Sequence, residues 1–237
     1  MVEDRSDKVN RRVEIEKRIQ RLIHHFDRYL AVFEQEIPFG IADSSNPQYK
    51  YHKKAIDRRF QLGSGRVALH DNNFIQTLHN TVREWLSEPF NARLCPLTNF
   101  ASTVRKHEND IAFLEGLSID SAGIRADEVA SRVWNVISGL DIAGNEAKLV
   151  ASTTALHHLL PDLVVPIDRV YTKAFFAWHP GEFQHEQERI FRHAFGHFIE
   201  IGRVSRPLQY VGRGWMTSRS KIVDNALVGF CIAENLS

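Results

Sequence analysis

Apolar residues recur at helical spacing along most of this chain. From Val13 onward Ile15, Ile19, Leu22, Phe26, Tyr29 and Phe33 share one stripe, with basic and acidic residues alternating on the other side. This pattern predicts one long amphipathic helix with a solvated charged face. Residues 73–86 predict a second helix, closed by Pro89. Thr98 caps a third carrying Phe100, Val104, Ile111 and Leu114, and 125–140 form a fourth with Val129, Val133, Trp134 and Ile137 inward. Residues 147–160 contain no helix breaker and bear Leu149, Val150, Leu156, Leu159 and Leu160, which predicts a largely buried helix that Pro161 ends. Helices over 182–201 and 220–233 complete the set. No stretch alternates with period two, so the expected fold is all-α. The chain reads as a single compact multi-helix unit over 1–237, with room for two helical lobes and a cleft between them. Residues 1–9 are polar and expected to be disordered. Residues 37–72, with Gly, Pro, Ser and Asn at short intervals, read as a long irregular basic loop.

Composition narrows the function classes. With 43% hydrophobic and 25% charged residues the chain reads as an ordinary soluble globular protein. A net charge of +1 excludes a whole-molecule attraction to nucleic acid and leaves only local patches. Cys95 and Cys231 have no metal-ligand spacing, which predicts two buried thiols in a reducing compartment. The N-terminus is charged, without an apolar signal segment, and no run is long enough for a bilayer, so the expected location is cytoplasmic, with no membrane partner.

Two local patches are basic and aromatic together. Within 37–72, Lys50, Lys53, Lys54, Arg58 and Arg59 interleave with Tyr49, Tyr51 and Phe60. This pairing suits phosphate contact with base stacking, and Lys53, Lys54 and Arg58 are the expected phosphate ligands. The segment 203–221 carries Arg203, Arg206, Arg213, Arg219 and Lys221 and no acidic residue. In it Gly212, Arg213, Gly214 and Trp215 form a flexible turn where Arg213, Arg219 and Lys221 would meet phosphates and Trp215 would offer a stacking ring.

The chemistry is expected at Asp168. Pro166 restarts the chain after Pro161, and Asp168 precedes the apolar pattern Val170, Ala174, Phe175 and Trp178. It therefore stands at a helix N-cap, where backbone amides stabilise its charge and turn it outward. Such a residue is either a cap alone or a carboxylate that stabilises a sugar cation when a glycosidic C–N bond breaks. Histidines raise the question of metal. His193, His197 and Glu200 could share a helix face, but the glutamate of a His-Glu-x-x-His site is missing. His70 and Asp71 read as a capping turn. His157 and His158 point about 100° apart, so at most one is expected in a given pocket. No metal or cofactor is expected.

The stretch 140–172 resembles the helix-hairpin-helix DNA glycosylase superfamily. In that family a glycine hairpin leads into a helix, and an Asp after a Val-Pro-Val-Asp-like segment caps the next helix beside the sugar of a flipped nucleotide. Val165, Pro166, Ile167 and Asp168 match that segment. The hairpin Leu-Pro-Gly-Val-Gly stands here as Leu140, Asp141, Ile142, Ala143 and Gly144. The lysine nucleophile of bifunctional members follows the last glycine by about two residues, and the nearest lysine here is Lys148. The resemblance implies a monofunctional-type DNA N-glycosylase acting on a damaged or modified base of duplex DNA. It implies Asp168 as the catalytic carboxylate, Lys148 as the lysine nearest a nucleophile's place, and Gly144 and Asn145 as phosphate contacts at a helix N-terminus. Trp215, Tyr171 and His157 would line the base pocket. The alternative from another class is a non-catalytic helical DNA-binding or interaction protein on the same scaffold. A third class, a hydrolase using His193 and His197 or His70 and Asp71, would hold metal.

Overall fold

The computed structural model describes residues 5–86 and 93–236, with the side chains of 9–86, 93–144 and 147–236. Among the described residues there are thirteen α-helices, one 3-10 turn and no strand, apart from an isolated bridge between Leu94 and Ala143. The all-α expectation therefore holds. The helices are α1 (Arg5–His24), α2 (Phe26–Glu36), α3 (Pro47–Gln61), α4 (Gly65–His70), α5 (Asn72–Leu86), α6 (Leu97–Arg105) and α7 (Glu108–Leu114). They continue as α8 (Ala126–Gly139), α9 (Asn145–Leu159), α10 (Tyr171–Phe175), α11 (Pro180–His185), α12 (Gln187–Ser205) and α13 (Arg219–Ala233). No described helix is long and apolar enough to cross a membrane. Cys231 is buried, whereas Cys95 is only half-buried, and both are free thiols.

Two expectations about the first third of the chain are corrected. The N-terminal helix begins at Arg5, inside the segment expected to be disordered, and it is two helices: the backbone leaves the helical path at His25. The break lets Phe26, Tyr29, Leu30 and Phe33 of α2 lie along α13. That approach is close enough that a Cβ at Gly229 of α13 would come within 1.9 Å of the Tyr29 carbonyl oxygen, so only glycine fits.

The segment 37–72 is likewise largely helical rather than irregular. Asn46 caps α3 by accepting from the Tyr49 amide at 3.3 Å, and Pro47 takes the first helical position, where its missing amide hydrogen costs nothing. Ser64 caps α4 through the Val67 amide at 3.1 Å. The buried face of α3 is His52, Ala55, Ile56 and Arg59, spaced as a helix requires but half polar. Arg59 is held inside by the Leu159 carbonyl at 2.7 Å and by Glu115 at 2.8 Å. A hydrophobicity pattern does not register such a face.

Helix α5 packs against both α3 and α9, α8 against α12, and α10 and α2 against α13. Their buried apolar side chains make one connected core. At its centre lie the last three turns of α9 and the first turns of α13, and neither stretch has an outward polar face.

Candidate functional site

Helix α9 is enclosed by α3, α5 and α8 and by the chain returning after Pro161. Lys148 is half-buried at its edge, and from Leu149 onward every side chain of α9 is inside. On α9 five of these are polar: Ser152, Thr153, Thr154, His157 and His158 are all fully buried. On α13, Ser220, Lys221, Asp224 and Asn225 are buried as well. Buried polar groups are costly unless hydrogen-bonded; most of these are, while Ser152 Oγ, His157 Nε2 and Asn225 Oδ1 have no partner. Thr153 Oγ1 donates to the Leu149 carbonyl at 2.8 Å and accepts from the Ile167 amide at 3.1 Å, which ties the Pro166 segment to α9.

Three histidines meet in this network. His52 of α3 and His157 and His158 of α9 each place one ring nitrogen within 4.8 Å of the others, and among the described residues they are the one His, Cys, Asp and Glu group close enough to share a metal ion. Their neighbours fix the tautomers. His157 Nδ1 lies 3.0 Å from the Val164 carbonyl and 2.9 Å from Ser220 Oγ. A carbonyl only accepts, so Nδ1 carries the hydrogen and Nε2 is a bare lone pair. His158 Nδ1 donates to the Thr154 carbonyl at 2.8 Å for the same reason, which leaves its Nε2 to accept from His52 Nδ1 at 2.9 Å. His52 Nε2 then accepts from Thr217 Oγ1 at 2.8 Å. His157 Nε2 is buried and has no partner. Burial, then the neighbouring histidines, push His52 and His157 well below the usual imidazole range. Burial carries His158 down to about 4, so all three rings are neutral near pH 7.

Aromatic rings and one ion pair surround the histidines. Trp85 and Trp215 both stack on His52 with centroids 5.4 Å away. Lys221 Nζ meets Asp224 at 2.5 Å and sits over the Phe39 ring at 4.4 Å. Burial pushes the Asp224 carboxyl up to about 6, against the pull of Lys221 and with a further push from the charge of Asp168.

Asp168 stands at the edge of this core and is half-buried. One carboxylate oxygen accepts from the amides of Val170 at 2.7 Å and Tyr171 at 2.6 Å. The other accepts from the Thr172 amide at 3.1 Å and the Thr172 hydroxyl at 2.9 Å. Asp168 therefore caps the turn that leads into α10, ahead of the helix's own N-cap residue Val170, and its carboxylate turns back onto that turn instead of outward; it lines none of four open surface grooves.

The other expected site residues fall in several places. Lys53 pairs with Asp57 at 2.5 Å, and Arg58 pairs with Asp71 at 2.5 Å. Lys54 is exposed, and these three line an open groove of about 470 Å³ with Lys50 and Tyr49. Arg213 and Gly144 are exposed, whereas the side chain of Asn145 lies outside the described residues. Arg219 pairs with Asp120 at 3.4 Å. Lys221 was expected on DNA and is instead fully buried in its ion pair, because α13 starts two residues before it and turns it inward. Trp215 is buried too, its Nε1 donating to the Gly40 carbonyl at 3.1 Å, so it packs the core and presents no open stacking face. Tyr171 is half-buried, with its ring edge-on to Phe39. Lys148 donates to the Ser138 carbonyl at 2.7 Å and faces a separate groove beside α11 and α12.

The histidine expectations also change. His157 and His158 both reach the cluster, with ring centroids 4.9 Å apart: long side chains bend back toward one point despite the angle between their Cβ bonds. His193 and His197 pack on Phe176, and His197 meets Glu200 at 3.2 Å. Asp71 caps α5 through the Phe74 amide at 2.6 Å, as its place before the helix predicts, while His70 pairs with Glu108. His52 and Asp224 are not among the residues expected at a site, and of His157 and His158 no more than one is. The signal was present in their spacing: a Ser-Thr-Thr run and a His pair on a helix with no room for a polar face, and Lys221 and Asp224 three apart on an otherwise apolar one. No protein-family model, curated protein or solved structure matches the chain.

Proposed function

We propose that the protein is a monofunctional N-glycosidic hydrolase acting on a damaged or modified base in DNA, with Asp168 as its charged group. The observation that carries this reading is the fixing of a half-buried carboxylate by three main-chain amides and the Thr172 hydroxyl, directly after the Val165, Pro166 and Ile167 segment packed on α9. Departure of a base leaves positive charge on the sugar, and a negative charge that does not reorganise stabilises it most. With its four acceptor positions filled, Asp168 acts through its field rather than by accepting a proton. Lys148, bound to the Ser138 carbonyl, supports a reaction without a Schiff-base step. The exposed Lys50, Lys54 and Arg213 are the cations that would meet phosphates.

The test is base release from duplexes carrying alkylated, deaminated, oxidised or modified bases, read as alkali-labile abasic sites. Asp168→Asn keeps most of the cap and removes the charge, and base release is expected to fall by about 10²–10³-fold. Equal rates for the variant and the wild type would end the proposal.

A second reading, a non-catalytic nucleic-acid-binding protein, is favoured by the groove beside α3, where Tyr49 sits among Lys50, Lys53, Lys54 and Arg58 away from Asp168. Under it, Lys50→Glu with Lys54→Glu weakens DNA binding and lowers its salt dependence, and no base is released from any duplex.

A further inference from the structure

We infer that His52, His157 and His158 form a buried three-histidine site for a divalent transition metal, with Zn²⁺ the class that neutral imidazoles favour. This does not depend on the reading of Asp168.

Three observations converge. One nitrogen from each of the three rings lies within 4.8 Å of the others. Tetrahedral coordination at a Zn–N distance of about 2.0 Å places ligand nitrogens roughly 3.3 Å apart, so closure needs only side-chain adjustment. The hydrogens are already where a metal requires them. His157 and His158 each give the Nδ1 hydrogen to a main-chain carbonyl, of Val164 and Thr154, which leaves Nε2 bare and holds the ring in place. A metal-ligating histidine is ordinarily held in this way. The third observation is a defect that a metal corrects: His157 Nε2 is a sealed acceptor with no donor, and such a group is costly unless something fills it. A cation satisfies it, while an anion would face lone pairs.

His52 completes the set by exchanging tautomers. It now gives its Nδ1 hydrogen to His158 and accepts from Thr217. With the hydrogen on Nε2, donated to Thr217 Oγ1, its Nδ1 becomes a third lone pair and all three rings have an outer partner. No proton is lost in the exchange, since the three rings are neutral before and after. Lys221 does not oppose the ion outright, because Asp224 neutralises it at 2.5 Å. A fourth position remains for water or a ligand oxygen.

The test uses the full, untagged chain, stripped with chelator and reloaded with Zn²⁺. One ion per chain is expected to survive gel filtration, and X-ray absorption is expected to show three imidazole nitrogens at about 2.0 Å. His157→Gln should abolish stoichiometric loading. Thr217→Val keeps every imidazole and removes only the outer partner of His52, and it should weaken Zn²⁺ binding by about 10–100-fold. His193→Gln should load as wild type. Substoichiometric Zn²⁺ in the wild type, or an absorption spectrum with fewer than three imidazoles, overturns the inference. So does undiminished binding in Thr217→Val, a result that stands even if His157→Gln does not fold.

Discussion

Lys221 and Asp224, one turn apart on α13, form an ion pair at 2.5 Å that is sealed from solvent among aromatic rings. A pair of this kind contributes little net stability while intact, yet removing one member strands the other. Lys221→Met should destabilise the fold by about 3–5 kcal/mol, and Lys221→Met with Asp224→Leu should recover most of that loss. Denaturant unfolding of both variants measures it, and a single variant as stable as the wild type would mean the pair is reached by water.

Asp168→Ala should leave the amides of Val170, Tyr171 and Thr172 without their acceptor. A cap of this kind is worth about 1–2 kcal/mol, and Asp168→Asn should lose less because one oxygen remains. Urea midpoints of the two variants, compared with base release, separate the structural role of the side chain from a chemical one.

Glu182 ties three helices together: it accepts from Arg11 at 2.6 Å and 2.9 Å, from the His179 amide at 2.9 Å, and from Arg189. Burial raises its pKa, but Arg11, the His179 amide and Arg189 outweigh that and hold it down at about 2, below its ordinary 4.5. A carboxyl lowered on folding stabilises above its unfolded pKa, and that contribution is lost as pH falls from about 4.5 toward 2. Arg11→Gln should flatten this part of the curve of stability against pH.

Two glycines give opposite expectations. Gly229→Ala would drive a Cβ into the Tyr29 carbonyl and should cost at least about 1–3 kcal/mol by separating α2 from α13. Gly196 of α12 has open space beside it, so Gly196→Ala should stabilise by about 1 kcal/mol through helix propensity alone. Thermal melting of the two variants checks both signs.

The parts of the molecule legible in the sequence are those whose inward face is apolar. Helices α5 and α8 follow their hydrophobic stripes almost to the residue. Helix α3 was hidden because His52 and Arg59 occupy half of its buried face, and a period search counts them as surface. The same physics concealed the centre of the fold. Lys221 is a surface residue by type, and only the enclosure of α13 from all sides makes it an interior one. The bonding of Asp168 to the amides just after it is legible because it is local, decided by Pro166 before it and by those amides. Where its carboxylate points depended on Thr172, whose hydroxyl also bonds to it, and no spacing rule anticipates that contact.

The pairing of α2 with α13 joins segments nearly two hundred residues apart in the chain. During synthesis Phe26, Tyr29, Leu30 and Phe33 leave the ribosome long before the partner that covers them, and through most of translation they are sticky surface. Newly made chains should therefore depend on chaperones until α13 emerges, and stalled intermediates that lack it should aggregate rather than linger as smaller folded species.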